Sequence, residues 1–176
     1  MTDVCAMEGR IPKTYGGDAI EIPGSRTLLD DLEKVRAPFA IVTSGTKHLV
    51  TGWLDVMKLA QPKNLVTAED VKRGKPDPTC YLLGQSKLGL ARDASILVLE
   101  DAPAGVRAGK AAGFSVVALA TTHSVENLRE AGADWIVRDM RSVTMKQYDR
   151  KKGEVKIEIS GAEGGGGCVE GALRLC

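Results

Sequence analysis

The stretch Ile96-Leu-Val-Leu-Glu-Asp-Ala-Pro-Ala-Gly105 decides the fold. Ile96 to Leu99 is apolar throughout, the pattern of a strand covered by helices on both faces of a parallel sheet. The run stops at two adjacent carboxylates, Glu100 and Asp101, and Pro103 then stands where proline suits the first turn of a helix. In that helix Ala104, Ala108, Ala111 and Ala112 permit close approach to the sheet, and Gly113 suits its end.

Outward from this unit the alternation repeats. Downstream come Val116-Val-Ala-Leu119, a helix from Ser124 to Ala131, and Trp135-Ile-Val137. Upstream, Gly24-Ser25 opens a helix with Leu28, Leu29, Leu32 and Val35 on one face, and Pro38 disfavours helix at Ala37. Phe39-Ala-Ile-Val-Thr43 reads as a buried strand; Leu49, Val50, Trp53, Leu54 and Met57 recur at helical spacing until Gln61-Pro62. Leu65-Val-Thr67 is a short strand, and Asp77-Pro78 starts a helix that runs to about Leu88, with Gly89 at its end. Val155-Lys-Ile-Glu-Ile159 alternates like an edge strand with one wet face, and Trp53 and Trp135 fit core positions. The pattern predicts an open, doubly wound parallel α/β sheet with right-handed crossovers.

With 176 residues, 43% hydrophobic and 27% charged, the chain has the make-up of one globular domain. Its 24 basic and 23 acidic residues leave a net charge of +1, which provides no field for nucleic acid or anionic membranes. No apolar run approaches the roughly 20 residues of a bilayer span. The start, Met1 to Met7, lacks the basic and apolar regions of a secretory signal, so a cytoplasmic location is expected. Cys5, Cys80, Cys168 and Cys176 are scattered without C-x-x-C pairs, which suits reduced thiols better than a zinc site or disulfides. Gly164 to Gly167 stand together in a tail, 160–176, that shows no period and reads as disordered. Its composition also fits translation past a natural coding end.

In such sheets ligands gather at the carboxyl ends of the strands. Thr43-Ser44-Gly45 offers a hydroxyl and backbone amides at a helix N-terminus, a seat for a phosphate oxygen or plain capping chemistry. In Lys72-Arg-Gly-Lys-Pro-Asp-Pro78 two prolines stiffen the loop beyond Lys75, which either turns its ammonium into the cleft or stays solvated. Glu100 and Asp101 repel each other and are costly to keep ionised without a cation. Mg²⁺ suits them, because it keeps waters and substrate phosphate in its shell and needs only one or two carboxylates. Alternatively Asp101 caps the next helix. His123, at another strand end, either lines the cleft or faces solvent. A hydroxyl, a lysine and an acidic pair in that order say more together than singly. Bacterial receiver domains use similar parts with the acidic pair first and the lysine last.

These residues resemble the haloacid dehalogenase superfamily of phosphohydrolases. Ile41-Val-Thr43 is similar to its second motif, Gly74-Lys-Pro-Asp-Pro78 to its third, and Leu99-Glu-Asp-Ala-Pro-Ala-Gly105 to its fourth. More narrowly, Gly9-Arg-Ile-Pro-Lys-Thr-Tyr-Gly16, Ala40-Ile-Val-Thr-Ser-Gly-Thr46 and Gly109-Lys-Ala-Ala-Gly113 look like the fungal glycerol-phosphate and 2-deoxyglucose-6-phosphate phosphatases. The resemblance implies that Thr43 bonds the transferring phosphoryl group, assisted by the amides of Ser44 and Gly45, while Lys75 stabilises its charge. It implies Mg²⁺ on Asp101, with Glu100 supporting either that site or the Lys75 ammonium.

The family's first motif, Asp-x-Asp, supplies an attacking aspartate and a general acid and base. No Asp-x-Asp occurs in this sequence. By the resemblance, residues 1–22 match only the last piece of a helical cap and its return linker, 23–159 the α/β core, and the family's first strand has no counterpart. The expectation is therefore a phosphatase by ancestry, for a small sugar or polyol phosphate monoester, short of its nucleophile. The other reading is a non-catalytic phosphate or Mg²⁺ binding module, or a regulatory partner of a longer paralogue. A third is an unstable fold, since loss of a central strand exposes sheet edges.

Overall fold

The computed structural model describes residues 7–59 and 61–163 and the backbone of Ala172–Leu175. In chain order the regular elements are α1 (Ile11–Tyr15), α2 (Ser25–Val35), β1 (Ala40–Val42), α3 (Lys47–Val56), β2 (Asn64–Val66) and α4 (Thr79–Lys87). There follow β3 (Ile96–Glu100), α5 (Pro103–Ala111), β4 (Ser115–Leu119), α6 (Val125–Glu130), β5 (Trp135–Val137), β6 (Val143–Asp149), β7 (Glu154–Ile159) and β8 (Ala172–Leu175). The chain is α/β, and its strands lie in two sheets. One is the parallel pair β1-β2; the other has the order β5-β4-β3-β8-β7-β6. In the second, β5, β4, β3 and β8 are parallel, while β7 runs antiparallel to both β8 and β6.

Local chemistry accounts for the element ends. Thr46 Oγ1 accepts from the Leu49 amide at 3.4 Å at the start of α3, and Ser124 Oγ accepts from the Asn127 amide at 3.3 Å at the start of α6. Asp77 Oδ1 accepts from the Thr79 amide at 2.9 Å, and Pro103 is the first residue of α5. Gly113, with φ +82°, ends that helix in the left-handed region open to glycine.

The apolar run of β3 is explained by burial on both faces. Leu97 packs with Val117, Leu119 and Val137, with Leu28 and Leu32 of α2, and with Val155, Ile157 and Ile159 of β7. Ile96 and Val98 pack on the other side with Val116, Ala118 and Ile136, under Tyr81 of α4, Val106 of α5 and Leu128 of α6. Gly109 lets α5 approach closely: a Cβ there would lie 2.8 Å from Val116 Cγ2. Trp53 and Trp135 are half-buried.

Three features differ from the sequence reading. The expected α/β fold with parallel strands holds, but its strands form a parallel pair and a separate larger sheet, since no described strand joins β1 to β3, and the antiparallel hairpin of residues 143–159 makes the larger sheet mixed. Strand β7 is not at an edge: β6 and β8 flank it, and only Val155, Ile157 and Ile159 alternate into the core. Beyond residue 160, where no regular element is expected, Ala172–Leu175 forms a strand between β3 and β7. The glycine run 164–167 and Cys5, Cys168 and Cys176 lie outside the described residues; Cys80 is a buried free thiol. Among the described residues no strand joins β1 to β3, and no helix is long and apolar enough to cross a membrane.

Candidate functional site

The carboxyl ends of β1 and β3 open onto one cleft of about 500 Å³. Thr43, Ser44 and Gly45 line it from the first strand, Lys75 from the loop before α4, and Glu100 and Asp101 from the second. All six residues singled out in the sequence therefore meet in one place, although β1 and β3 belong to different sheets. Thr43 is anchored by its amide, which donates to Val66 O at 2.9 Å, and its Oγ1 accepts from the Gly45 amide at 3.0 Å. That contact closes the Thr43-Ser44-Gly45 turn at the wall of the cleft.

Glu100 is buried, at 8% exposure, and its carboxylate is saturated by the protein. Oε1 accepts from Lys75 Nζ and from Tyr81 Oη, the latter at 2.6 Å. Oε2 accepts from the amides of Asp101 and Ala102, at 3.1 and 3.3 Å. Room for this carboxylate comes from Gly105, where a Cβ would lie 2.1 Å from Glu100 Cδ. Of the two roles expected for Glu100, this geometry gives it the support of Lys75. Lys75 is not a solvated lysine: its side chain is 11% exposed, Nζ also approaches Val42 O at 3.4 Å and lies 5.0 Å from the Tyr81 ring centroid.

Asp101 does not cap α5. The N-cap is Ala102, without a side-chain hydrogen bond, and it is Glu100 that accepts the amides there. The Asp101 carboxylate instead accepts from Thr122 Oγ1 at 3.0 Å. His123 is exposed and sits beside Asp101, its Nδ1 3.2 Å from Asp101 O. Tyr81 went unnoticed in the sequence. A tyrosine six residues beyond Lys75 on a helix is the available signal, since a buried phenol needs a partner. Burial pushes the adjacent Cys80 thiol up, in keeping with its place in the core.

Charge decides what the cleft can hold. Lys75 and Glu100 neutralise each other, leaving Asp101 as an unpaired carboxylate among the described ion pairs. A phosphate dianion next to that carboxylate is repelled unless a cation intervenes. Mg²⁺ fits the donor set, an oxygen ligand at the rim with open space beside it. Among the described residues no group of three or more His, Cys, Asp or Glu side chains could hold a metal by itself, so Asp101 stands as a single carboxylate candidate.

The β3 tip with its acidic pair, a buried lysine and a Thr-Ser-Gly turn thus line one α/β cleft. The haloacid dehalogenase-like hydrolase family model matches residues 14–119. The chain belongs to that family. It is 40% identical to glycerol-1-phosphate phosphohydrolase 1 of Saccharomyces cerevisiae, over 86% of this chain and 63% of that protein. It is 36% identical to the 2-deoxyglucose-6-phosphate phosphatase 1 of the same yeast, over 81% of this chain and 64% of that one. Among solved structures, a hydrolase from Pseudomonas syringae superposes with a TM-score of 0.67 at 31% identity, covering 75% of this chain and 61% of that one. The chain thus spans less than two thirds of the length of these curated relatives.

Proposed function

We propose that this cleft binds the phosphate group of a small sugar or polyol phosphate together with Mg²⁺, as a core of the phosphatase type. The observation that carries it is the convergence of Thr43, Lys75 and Asp101 on one cleft of about 500 Å³. Thr43 Oγ1 and the Ser44 amide would meet phosphate oxygens, with Gly45 closing the turn through its amide on Thr43 Oγ1, and Lys75, held by Glu100 and Tyr81, would offset their charge. Asp101 would hold Mg²⁺, which when bound supplies positive charge to the phosphate oxygens. The yeast relatives' names specify glycerol-1-phosphate and 2-deoxyglucose-6-phosphate, which supports a small phosphorylated carbohydrate or polyol as the ligand.

Among the described residues, we assign the groups that line this cleft to positioning and charge stabilisation and none to attack on phosphorus, and the sequence contains no Asp-x-Asp. We therefore infer binding without turnover by these 176 residues. Phosphorus NMR and calorimetry with inorganic phosphate and glycerol phosphate test this. Binding is expected only with Mg²⁺ present, weakened about tenfold or more in Lys75→Ala. Hydrolysis of glycerol phosphate that Lys75→Ala abolishes would overturn the inference of no turnover, and Mg²⁺-independent binding would overturn the role of Asp101.

A further inference from the structure

The loop after β4 has no part in the phosphate contacts above, yet it makes three polar contacts with Asp101. Thr122 Oγ1 lies 3.0 Å from Asp101 Oδ2 and 3.2 Å from Asp101 O. His123 Nδ1 lies 3.0 Å from Thr122 Oγ1 and 3.2 Å from Asp101 O. Proton accounting sets the directions of these bonds. A carbonyl oxygen only accepts, so His123 must carry its proton on Nδ1 to bond Asp101 O. Thr122 has one hydroxyl proton, shared between the carboxylate and the carbonyl of Asp101, and it accepts from the imidazole. Asp101 Oδ2 is thereby engaged, while Oδ1 takes no hydrogen bond among the described residues.

We propose that Thr122 and His123 form a clip that holds the Asp101 carboxylate with one oxygen committed and the other free for a divalent cation. They act as positioning residues, and the clip rests on the reading of Asp101 as a cation ligand. Its physical basis is entropic: a carboxylate already fixed at one oxygen loses less rotamer freedom when the other binds metal. Contacts that orient a metal ligand in this way alter metal affinity about 10- to 100-fold when removed.

The test uses the full 176-residue chain, Mn²⁺ as the probe by electron paramagnetic resonance of the free ion, and long-range proton–nitrogen NMR of the imidazoles. Thr122→Val is expected to weaken Mn²⁺ binding about tenfold and Thr122→Ser to restore it. His123 is expected to show its proton on Nδ1. Parent-like Mn²⁺ affinity in Thr122→Val, or a His123 protonated on Nε2 alone, overturns the clip while leaving Asp101 as the ligand. Mn²⁺ binding that is absent, or unchanged in Asp101→Asn, overturns the cation reading and the clip with it.

Discussion

Glu100 shows how much of this site depends on one carboxylate accepting four donors: an ammonium, a phenol and two amides. Such a group is stable in a buried position because each oxygen is satisfied. It needs space, and Gly105 provides it. Helix propensity alone says that Gly105→Ala should stabilise α5 by roughly 1 kcal/mol. The added Cβ, however, would sit 2.1 Å from Glu100 Cδ, so the carboxylate must move and release its donors. Overpacking of this kind costs about 1–3 kcal/mol and leaves buried groups unpaired as well. The clash outweighs the propensity. Gly105→Ala is expected to lower the thermal midpoint, measured by circular dichroism; a raised midpoint would show that the carboxylate has room to relax.

Among the elements, the β6-β7 hairpin depends on the turn that launches it from β5. Asp139 is buried and accepts from the Arg141 amide and Nε, each at 3.0 Å, and from Nη2 at 2.7 Å. The Arg141 guanidinium beside it holds the Asp139 carboxyl down at about 2, against an ordinary 3.8. A carboxyl with a depressed folded value contributes stability that is fully present above its unfolded value. That contribution is lost as pH falls from about 3.8 through about 2. Asp139→Asn should therefore flatten the acid limb of stability between those values, measured by denaturant titration at fixed pH steps. Unchanged acid sensitivity would place the titration elsewhere.

At the scale of the molecule, β1-β2 and the six-stranded sheet share a cleft but, among the described residues, no strand pairing. They are joined by side chains. Lys75 reaches from Val42 O to Glu100, and the core cluster holding Tyr81 contains Val66 of β2 and Ile96 of β3. In the larger sheet β8 takes both neighbouring edges, pairing with β3 at Ile96 and Leu97 and with β7 at Val155 and Lys156. A strand paired on both sides uses its amides in the ladders, so proline is disruptive there. Arg174→Pro is expected to destabilise the protein by about 1–3 kcal/mol and to speed amide exchange along β3 and β7. Unchanged exchange would mean that β8 contributes nothing to either edge.

The sequence by itself determined the alternation of apolar strands and helices, most helix ends, and the six cleft residues at strand ends and in the loop before α4. Those signals are local. The period of a helix face, a capping hydroxyl and an unbroken apolar run such as Ile96 to Leu99 follow from a residue and its near neighbours. What only the tertiary structure decided is non-local. The strand at 143–149 escaped notice because its burial pattern is irregular, with a shift in register between Met145 and Gln147, and it is identifiable by its pairing with β7. Capping statistics could not tell whether Asp101 or Glu100 takes the amides of α5, because both precede the helix and only packing on Gly105 selects Glu100. The partners of the site, Tyr81 from 19 residues before Glu100 and Thr122 from 21 residues after Asp101, are brought together by chain crossovers that no local pattern encodes.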